Sequence, residues 1–183
     1  MKTRDFILLA YGAFDGRISG RTLLQKRVYF LSEMLDENHG FSPHFYGPYS
    51  SQVAEANSEL KALGYIEENC TVYGWNHNGF EMARYDYSLT KDGLKLLERK
   101  KKEYPDEWKQ IDDAANTIKG AGTPDYMQLA LAAKAYFILT RQGGTASKET
   151  IKTIAHKFGW TINEPELEKA IDFLNRIHLA HWK

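Results

Sequence analysis

Cysteine is almost absent from this chain of 183 residues, in which Cys70 is the single thiol. One cysteine excludes an intramolecular disulfide bond, so side-chain packing has to hold the fold together. We interpret Cys70 as a buried thiol in a reducing compartment. This interpretation predicts a cytoplasmic protein.

Long apolar runs are also missing. No stretch approaches the length of about 20 residues that a membrane-spanning helix needs. The start of the chain, MKTRDFILLAYGAFDG, carries Asp5 before a short apolar segment, which is not the shape of a secretory signal. We expect a first helix at this position and no membrane partner.

An excess of charge of either sign is lacking as well. The chain has 24 Lys and Arg residues against 24 Asp and Glu residues, and both halves are balanced. Non-specific DNA binding depends largely on Lys and Arg side chains that replace phosphate counterions. A DNA-binding function therefore requires a local basic patch on an otherwise neutral protein.

Catalytic and metal-binding patterns are not present either. The six histidines show no His-x-x-x-His spacing, and the sequence contains no Cys-x-x-Cys pair, phosphate-binding glycine loop or nucleophile elbow. We therefore expect a protein that is not an enzyme and that needs neither a metal ion nor another cofactor.

Apolar periodicity predicts the order of elements in the first half. Residues 4–14, 22–37 and 51–63 have helical patterns, and residues 17–19 form a short strand. Residues 65–75 and 80–89 favour strands, and the Asn78-Gly79 pair between them predicts a hairpin turn. Helix, strand, helix, helix and hairpin in this order are typical of a winged helix-turn-helix domain.

Residues 104–183 carry helical patterns, with a tail at residues 178–182 for which a short strand is the alternative interpretation. Thr123 is the expected cap of one helix, and Asn163 with Glu166 predicts a capping box for the last one. Residues 148–157 are basic and residues 164–168 are acidic, which suits docking onto another helix, in this chain or in a partner subunit.

These patterns predict an α+β fold that is mostly helical. Residues 1–103 form a winged helix-turn-helix domain with a β-hairpin wing. Residues 104–183 form an all-helical C-terminal domain, either an oligomerisation module or a second helix-turn-helix-like unit.

Two motifs carry a resemblance to known proteins. They are GRTLLQKRVYFL at residues 20–31 and FYGPYS at residues 45–50, followed by the helix end at residues 60–66. This pattern resembles the YwgA-like family of uncharacterised bacterial and archaeal proteins. It is similar, more distantly, to the Panacea-type antitoxin domain. The first resemblance implies a winged-helix, regulator-like protein, and the second implies a partner in toxin–antitoxin or phage-related loci. Arg27 departs from the pattern, because an apolar residue is expected there.

The first functional hypothesis is a dimeric winged-helix DNA-binding protein of the transcriptional-regulator type. A basic group near the start of the second helix suits phosphate contact, although a solvated helix face is the alternative interpretation. Polar residues of the helix at 51–63 suit base edges and phosphates. The candidate nucleic-acid-binding residues are Arg17, Arg21, Lys26, Arg27, Gln52, Asn57, Lys61 and Arg84.

Glu55 and Glu59 argue against this hypothesis, because phosphates repel carboxylates on a recognition helix.

The alternative is a non-enzymatic protein-interaction module, such as an antitoxin-like or defence-associated partner. We refer to residues 44–50, HFYGPYS, as the aromatic loop; it either contacts a partner or packs the helix against the hairpin. The candidate partner-binding residues are Tyr46, Tyr49, Trp75 and His77. Under either hypothesis we expect a homo-oligomer.

Overall fold

Helices dominate the computed structural model, which describes residues 1–75, 81–122 and 125–179. All the strands of the described residues lie between residues 17 and 89, and every element after residue 89 in the described part is a helix. The elements are α1 (Thr3–Ala13), β1 (Arg17–Ser19), α2 (Arg21–Met34), α3 (Ser51–Ala62), β2 (Ile66–Trp75), β3 (Glu81–Leu89), α4 (Lys91–Glu103), α5 (Pro105–Gly120), α6 (Tyr126–Arg141), α7 (Lys148–Lys157) and α8 (Glu164–Arg176). The predicted mostly helical α+β fold is confirmed.

The three strands form one antiparallel sheet in the order β1-β3-β2. β2 and β3 pair along their length, from Ile66 opposite Leu89 to Trp75 opposite Glu81, with one register shift between Val72 and Gly74. The predicted hairpin is therefore present, and the element order from α1 to β3 is that of a winged helix-turn-helix. The predicted turn at residues 76–79 lies outside the described residues.

Side-chain caps define several helix starts. Ser50 accepts a hydrogen bond from the Val53 amide at the start of α3, and Asn163 and Glu166 form the predicted capping box of α8. The start of α6 differs from expectation, because Asp125 caps this helix by accepting from the Gln128 amide. The predicted cap, Thr123, lies outside the described residues.

The apolar core is continuous across the predicted domain boundary. Aromatic rings of α2 meet rings of the C-terminal helices, with Tyr29 at 6.5 Å from Phe137 and Phe30 at 5.5 Å from Phe173 between ring centroids. α2 is therefore covered on more than one side, by its own domain and by α6 and α8. The division into two domains, with a boundary between residues 103 and 104, stays a prediction.

Several charged residues stabilise contacts within this chain. Lys148 lies 2.9 Å from Glu168, and Lys152 lies 2.8 Å from Glu164, so the predicted docking of basic and acidic helices occurs between α7 and α8.

Cys70 is exposed on β2, so the expectation of a buried thiol was wrong. Among the described helices, none combines the length and the apolarity that crossing a membrane requires.

Candidate functional site

Gln25 of α2 binds the end of the aromatic loop through both ends of its side-chain amide. Its Nε2 donates to the backbone oxygen of Ser50 at 3.0 Å, and its Oε1 accepts from the Ser50 amide at 2.9 Å. Both residues are buried, so each polar group needs a partner inside the protein. This reciprocal pair fixes the point at which the loop becomes α3.

Lys26 holds the same loop from the next position of α2. It is only 2% exposed, and its Nζ donates to the Pro48 backbone oxygen at 2.5 Å. On the other side, the indole Nε1 of Trp160 donates to the His44 backbone oxygen at 2.7 Å. The aromatic loop is therefore held between α2 and the link that joins α7 to α8.

Gly47 allows the loop to approach α6 closely. Its φ is +94°, and a Cβ atom at this position would lie 3.1 Å from Lys134 Cγ and 3.3 Å from the Ala130 backbone oxygen. Any other L-residue would meet both a strained backbone and neighbouring atoms.

Two aromatic side chains project from this clamped loop. Phe45 is 70% exposed and Tyr46 is 48% exposed, and their rings lie edge to face with centroids 4.9 Å apart. Both rings line an open groove of about 670 Å³ between α6 and α8, which we call the α6–α8 groove. Its apolar surface includes Met127, Leu131 and Phe173, and its charged residues are Lys134, Glu166, Lys169, Asp172 and Arg176.

A second depression, of about 290 Å³, lies between α2, α3, the aromatic loop and the sheet; we call it the α2–α3 cavity. Tyr46 lines both the cavity and the groove. The remaining residues of the cavity wall are Arg21, Thr22, Leu24, Gln25, Lys26, His44, Tyr49, Ala54, Asn57, Ser58, Lys61, Glu68 and Tyr87.

Glu68 organises the charges on one side of the cavity. Its carboxylate lies 2.9 Å from Lys61 Nζ and 3.9 Å from the Arg21 guanidinium, which itself stacks 3.6 Å above the Tyr85 ring. Burial acts to raise the pKa of Glu68, but hydrogen bonds from Lys61 and Tyr87 and the charge of Arg21 lower it overall. Burial and this carboxylate raise the pKa of Tyr87 to about 12.

Lys26 has the opposite environment. Burial, with a smaller contribution from the positive charge of Lys134, lowers the pKa of Lys26 to about 7. Burial also lowers the pKa of Lys134. A positive charge on Lys26 or Lys134 is therefore unfavourable unless a negatively charged group lies next to it.

The candidate nucleic-acid-binding residues do not form one surface. Lys26 and Asn57 are buried, and Asn57 accepts a hydrogen bond from the Tyr11 hydroxyl at 2.7 Å. The expectation that these two residues face outward was therefore wrong, because both satisfy polar groups inside the protein. Arg27 is half-buried, with its guanidinium 4.3 Å from the centroid of the Phe14 ring.

The other candidates are exposed but separated. Arg21 and Lys61 lie beside the cavity, and Gln52 is exposed in the first turn of α3. Arg17 pairs with Ser88 across the sheet, and alternation along β3 puts Arg84 on that same face. This face is opposite the one that carries Tyr85 and Tyr87, and therefore away from the cavity.

Of the candidate partner-binding residues, Tyr46 is exposed and Tyr49 is half-buried, with its ring 5.0 Å from that of His44. Trp75 ends β2, and His77 lies outside the described residues. No group of three or more His, Cys, Asp or Glu side chains that could hold a metal ion occurs in residues 1–75, 81–122 and 125–179.

Sequence reasoning missed Gln25, Glu68 and the α6–α8 groove. A signal for Gln25 was available, because α2 is apolar on most sides and a polar residue within it is then expected to be buried and paired. Glu68 and the groove had no local signal, since their neighbours come from distant parts of the chain.

Comparison with known proteins supports the resemblance to YwgA-like proteins. No protein-family model matches the chain. The chain is 36% identical over 101 residues to the uncharacterized protein YwgA of Bacillus subtilis (strain 168), a match that covers 54% of this chain and 56% of the relative. The chain thus spans about half the length of the curated relative it matches. Over this part it is a homologue of YwgA, and the resemblance predicted from the two motifs is confirmed.

Gly47→Ala should loosen the aromatic loop. We expect it to lower the free energy of unfolding by about 1–3 kcal/mol, because the left-handed backbone and the contact with α6 both become unfavourable. Gly20→Ala is the matched control, since Gly20 has a similar φ of +104° and open space around its Cβ position. Urea unfolding of both variants measures the difference. Equal costs would show that the contact with α6 does not constrain the loop.

Lys26 should make stability depend on pH. The folded chain loses the Lys26 proton near pH 7, whereas the unfolded chain keeps it until about pH 10. The unfolded state therefore binds more protons between these values, and the contribution of Lys26 to stability rises with pH in this window. Compared with Lys26→Met, the free energy of unfolding of the wild type should rise by on the order of 3 kcal/mol between about pH 7 and about pH 9.5.

Urea unfolding at both pH values measures this gain. Lys119→Met controls for the loss of a bond from lysine to a backbone oxygen, because Lys119 donates to the Ala13 oxygen at 2.9 Å. The same difference between wild type and Lys26→Met at both pH values would contradict the prediction.

Proposed function

We propose that this chain is a non-enzymatic protein-interaction module on a winged helix-turn-helix scaffold. One observation carries the proposal: Phe45 and Tyr46 are exposed on a loop that is fixed from two sides, at the edge of the α6–α8 groove. Large apolar side chains on a rigid loop cannot turn inward, so they keep unfavourable contact with water until a partner covers them.

The groove favours a helical segment of the partner. Two helices, α6 and α8, line it, with apolar side chains inside and charges of both signs around them. An amphipathic helix can place its apolar face in such a groove and its charges along the edges. An antitoxin-like or defence-associated role, which the more distant resemblance implies, is one setting for such an interaction.

The surface of α3 also favours a protein partner over phosphate groups. Glu55 and Glu59 are exposed on this helix, and Glu59 pairs with Arg4. Two other basic side chains of this region, Arg21 and Lys61, lie beside Glu68. The local charge is therefore mixed, which limits attraction to a phosphate backbone.

Phe45→Ser tests the interaction. Affinity purification with the wild type should retain one discrete partner in stoichiometric amount, and Phe45→Ser should weaken that partner's binding at least about tenfold. Leu94→Ser is the matched control, because Leu94 is 49% exposed on α4 and does not line the groove. If the partner is a second copy of this chain, light scattering should detect a dimer that Phe45→Ser converts to a monomer.

The same proteins captured by the wild type and by Phe45→Ser, with an unchanged mass of the assembly, would contradict the proposal. If Leu94→Ser weakened the binding of the partner as much as Phe45→Ser, the loss would come from replacing any exposed apolar side chain and not from the aromatic loop.

DNA binding is the second candidate function. The observation that favours it is the winged-helix element order together with two exposed basic side chains, Arg21 at the start of α2 and Lys61 in the last turn of α3. Fluorescence anisotropy with random-sequence duplex DNA across a salt series tests it. The double variant Arg21→Gln/Lys61→Gln should bind at least about tenfold more weakly and reduce the salt slope by about 2.

Lys95→Gln/Lys109→Gln controls for net charge, since these exposed lysines belong to α4 and α5. No binding of the wild type at low salt would remove this candidate function. Equal weakening by both double variants would reduce it to general electrostatic attraction.

A further inference from the structure

The α2–α3 cavity is lined by a buried amine, that of Lys26, which has no charged partner of opposite sign among the described residues. We propose that the cavity binds a small organic molecule bearing an oxyanion, with the carboxylate or phosphate facing Lys26. The proposal does not rest on the proposed partner surface, although Tyr46 lines both the cavity and the α6–α8 groove.

The amine is the first part of the argument. An ammonium group has three protons to donate, and within residues 1–75, 81–122 and 125–179 the Lys26 Nζ has one acceptor, the Pro48 oxygen. The charged neighbour that acts on it is another cation, Lys134. A buried positive charge is normally paired, and an oxyanion in the adjoining cavity would provide both the charge and the acceptors.

Glu68, a carboxylate in the cavity wall, is the second part of the argument. Glu68 is bound by Lys61 at 2.9 Å and lies 3.9 Å from Arg21, so its charge is already engaged away from Lys26. The cavity wall therefore contains three basic side chains against this one acidic side chain. Arg21 and Lys61 are exposed, but Glu68 already engages their charge, so the amine of Lys26 is the basic group that an anion in the cavity would pair with.

The remaining surface defines the body of the ligand. Rings of His44, Tyr46, Tyr49 and Tyr87 line the cavity together with Leu24 and Ala54. A volume of about 290 Å³ is at the small end of the range for ligand sites. A compact, planar organic acid fits these walls better than a nucleotide or a peptide.

NMR titration of the full chain with benzoate, inorganic phosphate and benzamide tests the proposal. Benzamide has the shape of benzoate without its charge. We expect saturable shifts at Lys26, Asn57 and Tyr87 with benzoate, and none with benzamide at the same millimolar concentrations. Saturable shifts at these positions with phosphate alone would identify the ligand as a phosphate compound rather than a carboxylic acid.

Three variants distinguish binding in the cavity from general effects on the protein. Lys26→Met should weaken benzoate binding at least about tenfold, whereas Lys119→Met, which removes a lysine outside the cavity, should leave it unchanged. Ala54→Leu fills the cavity while keeping Lys26 and should also abolish binding, so the test does not depend on the folding of Lys26→Met.

Three results would overturn the proposal. One is the absence of saturable shifts with either anion. Another is equal binding of benzamide and benzoate, which would show that the charge of the ligand is irrelevant. The last is binding that persists in both Lys26→Met and Ala54→Leu, which would place the anion on surface lysines.

Discussion

The reciprocal hydrogen bonds between the Gln25 amide and the backbone of Ser50 are the contact on which this architecture depends. The link from α2 to α3, residues 35–50, is much longer than the tight turn of a minimal helix-turn-helix. A loop of this length gains a defined position only if its buried backbone groups find partners. Gln25 provides two of them, Lys26 provides a third, and the capping Ser50 then sets the direction of α3.

The same contact explains why the two sequence motifs occur together. One motif contains Gln25 and Lys26, and the other contains Pro48 and Ser50, and their side-chain and backbone groups bind each other directly. The motifs therefore describe a structural clamp. Both candidate functional surfaces form around this clamp, since Tyr46 of the aromatic loop lines the α2–α3 cavity and the α6–α8 groove.

Many charged side chains of this protein make contacts within the chain. The basic run that ends α4 is one example: Lys100 lies 3.0 Å from the buried Asp5 of α1, and Lys101 lies over the Trp108 ring at 4.3 Å. Lys148 and Lys152 bind the acidic start of α8. Side chains that hold the fold together in this way are less available for phosphate groups. This internal pairing is one reason why we propose contact with a protein rather than with DNA.

The sequence by itself determined the order of helices and strands, the hairpin and the capping box of α8, because these depend on periodicity and on neighbours a few residues apart. The tertiary structure alone decided which polar residues face outward. The pattern of α2 by itself does not show that Lys26 is covered, because the aromatic loop and α6, which lie against this helix, come from other parts of the chain. Asn57 faces inward for a similar reason, since its partner Tyr11 is 46 residues away in the sequence. Such pairings arise only when distant segments pack together, and no local pattern encodes them.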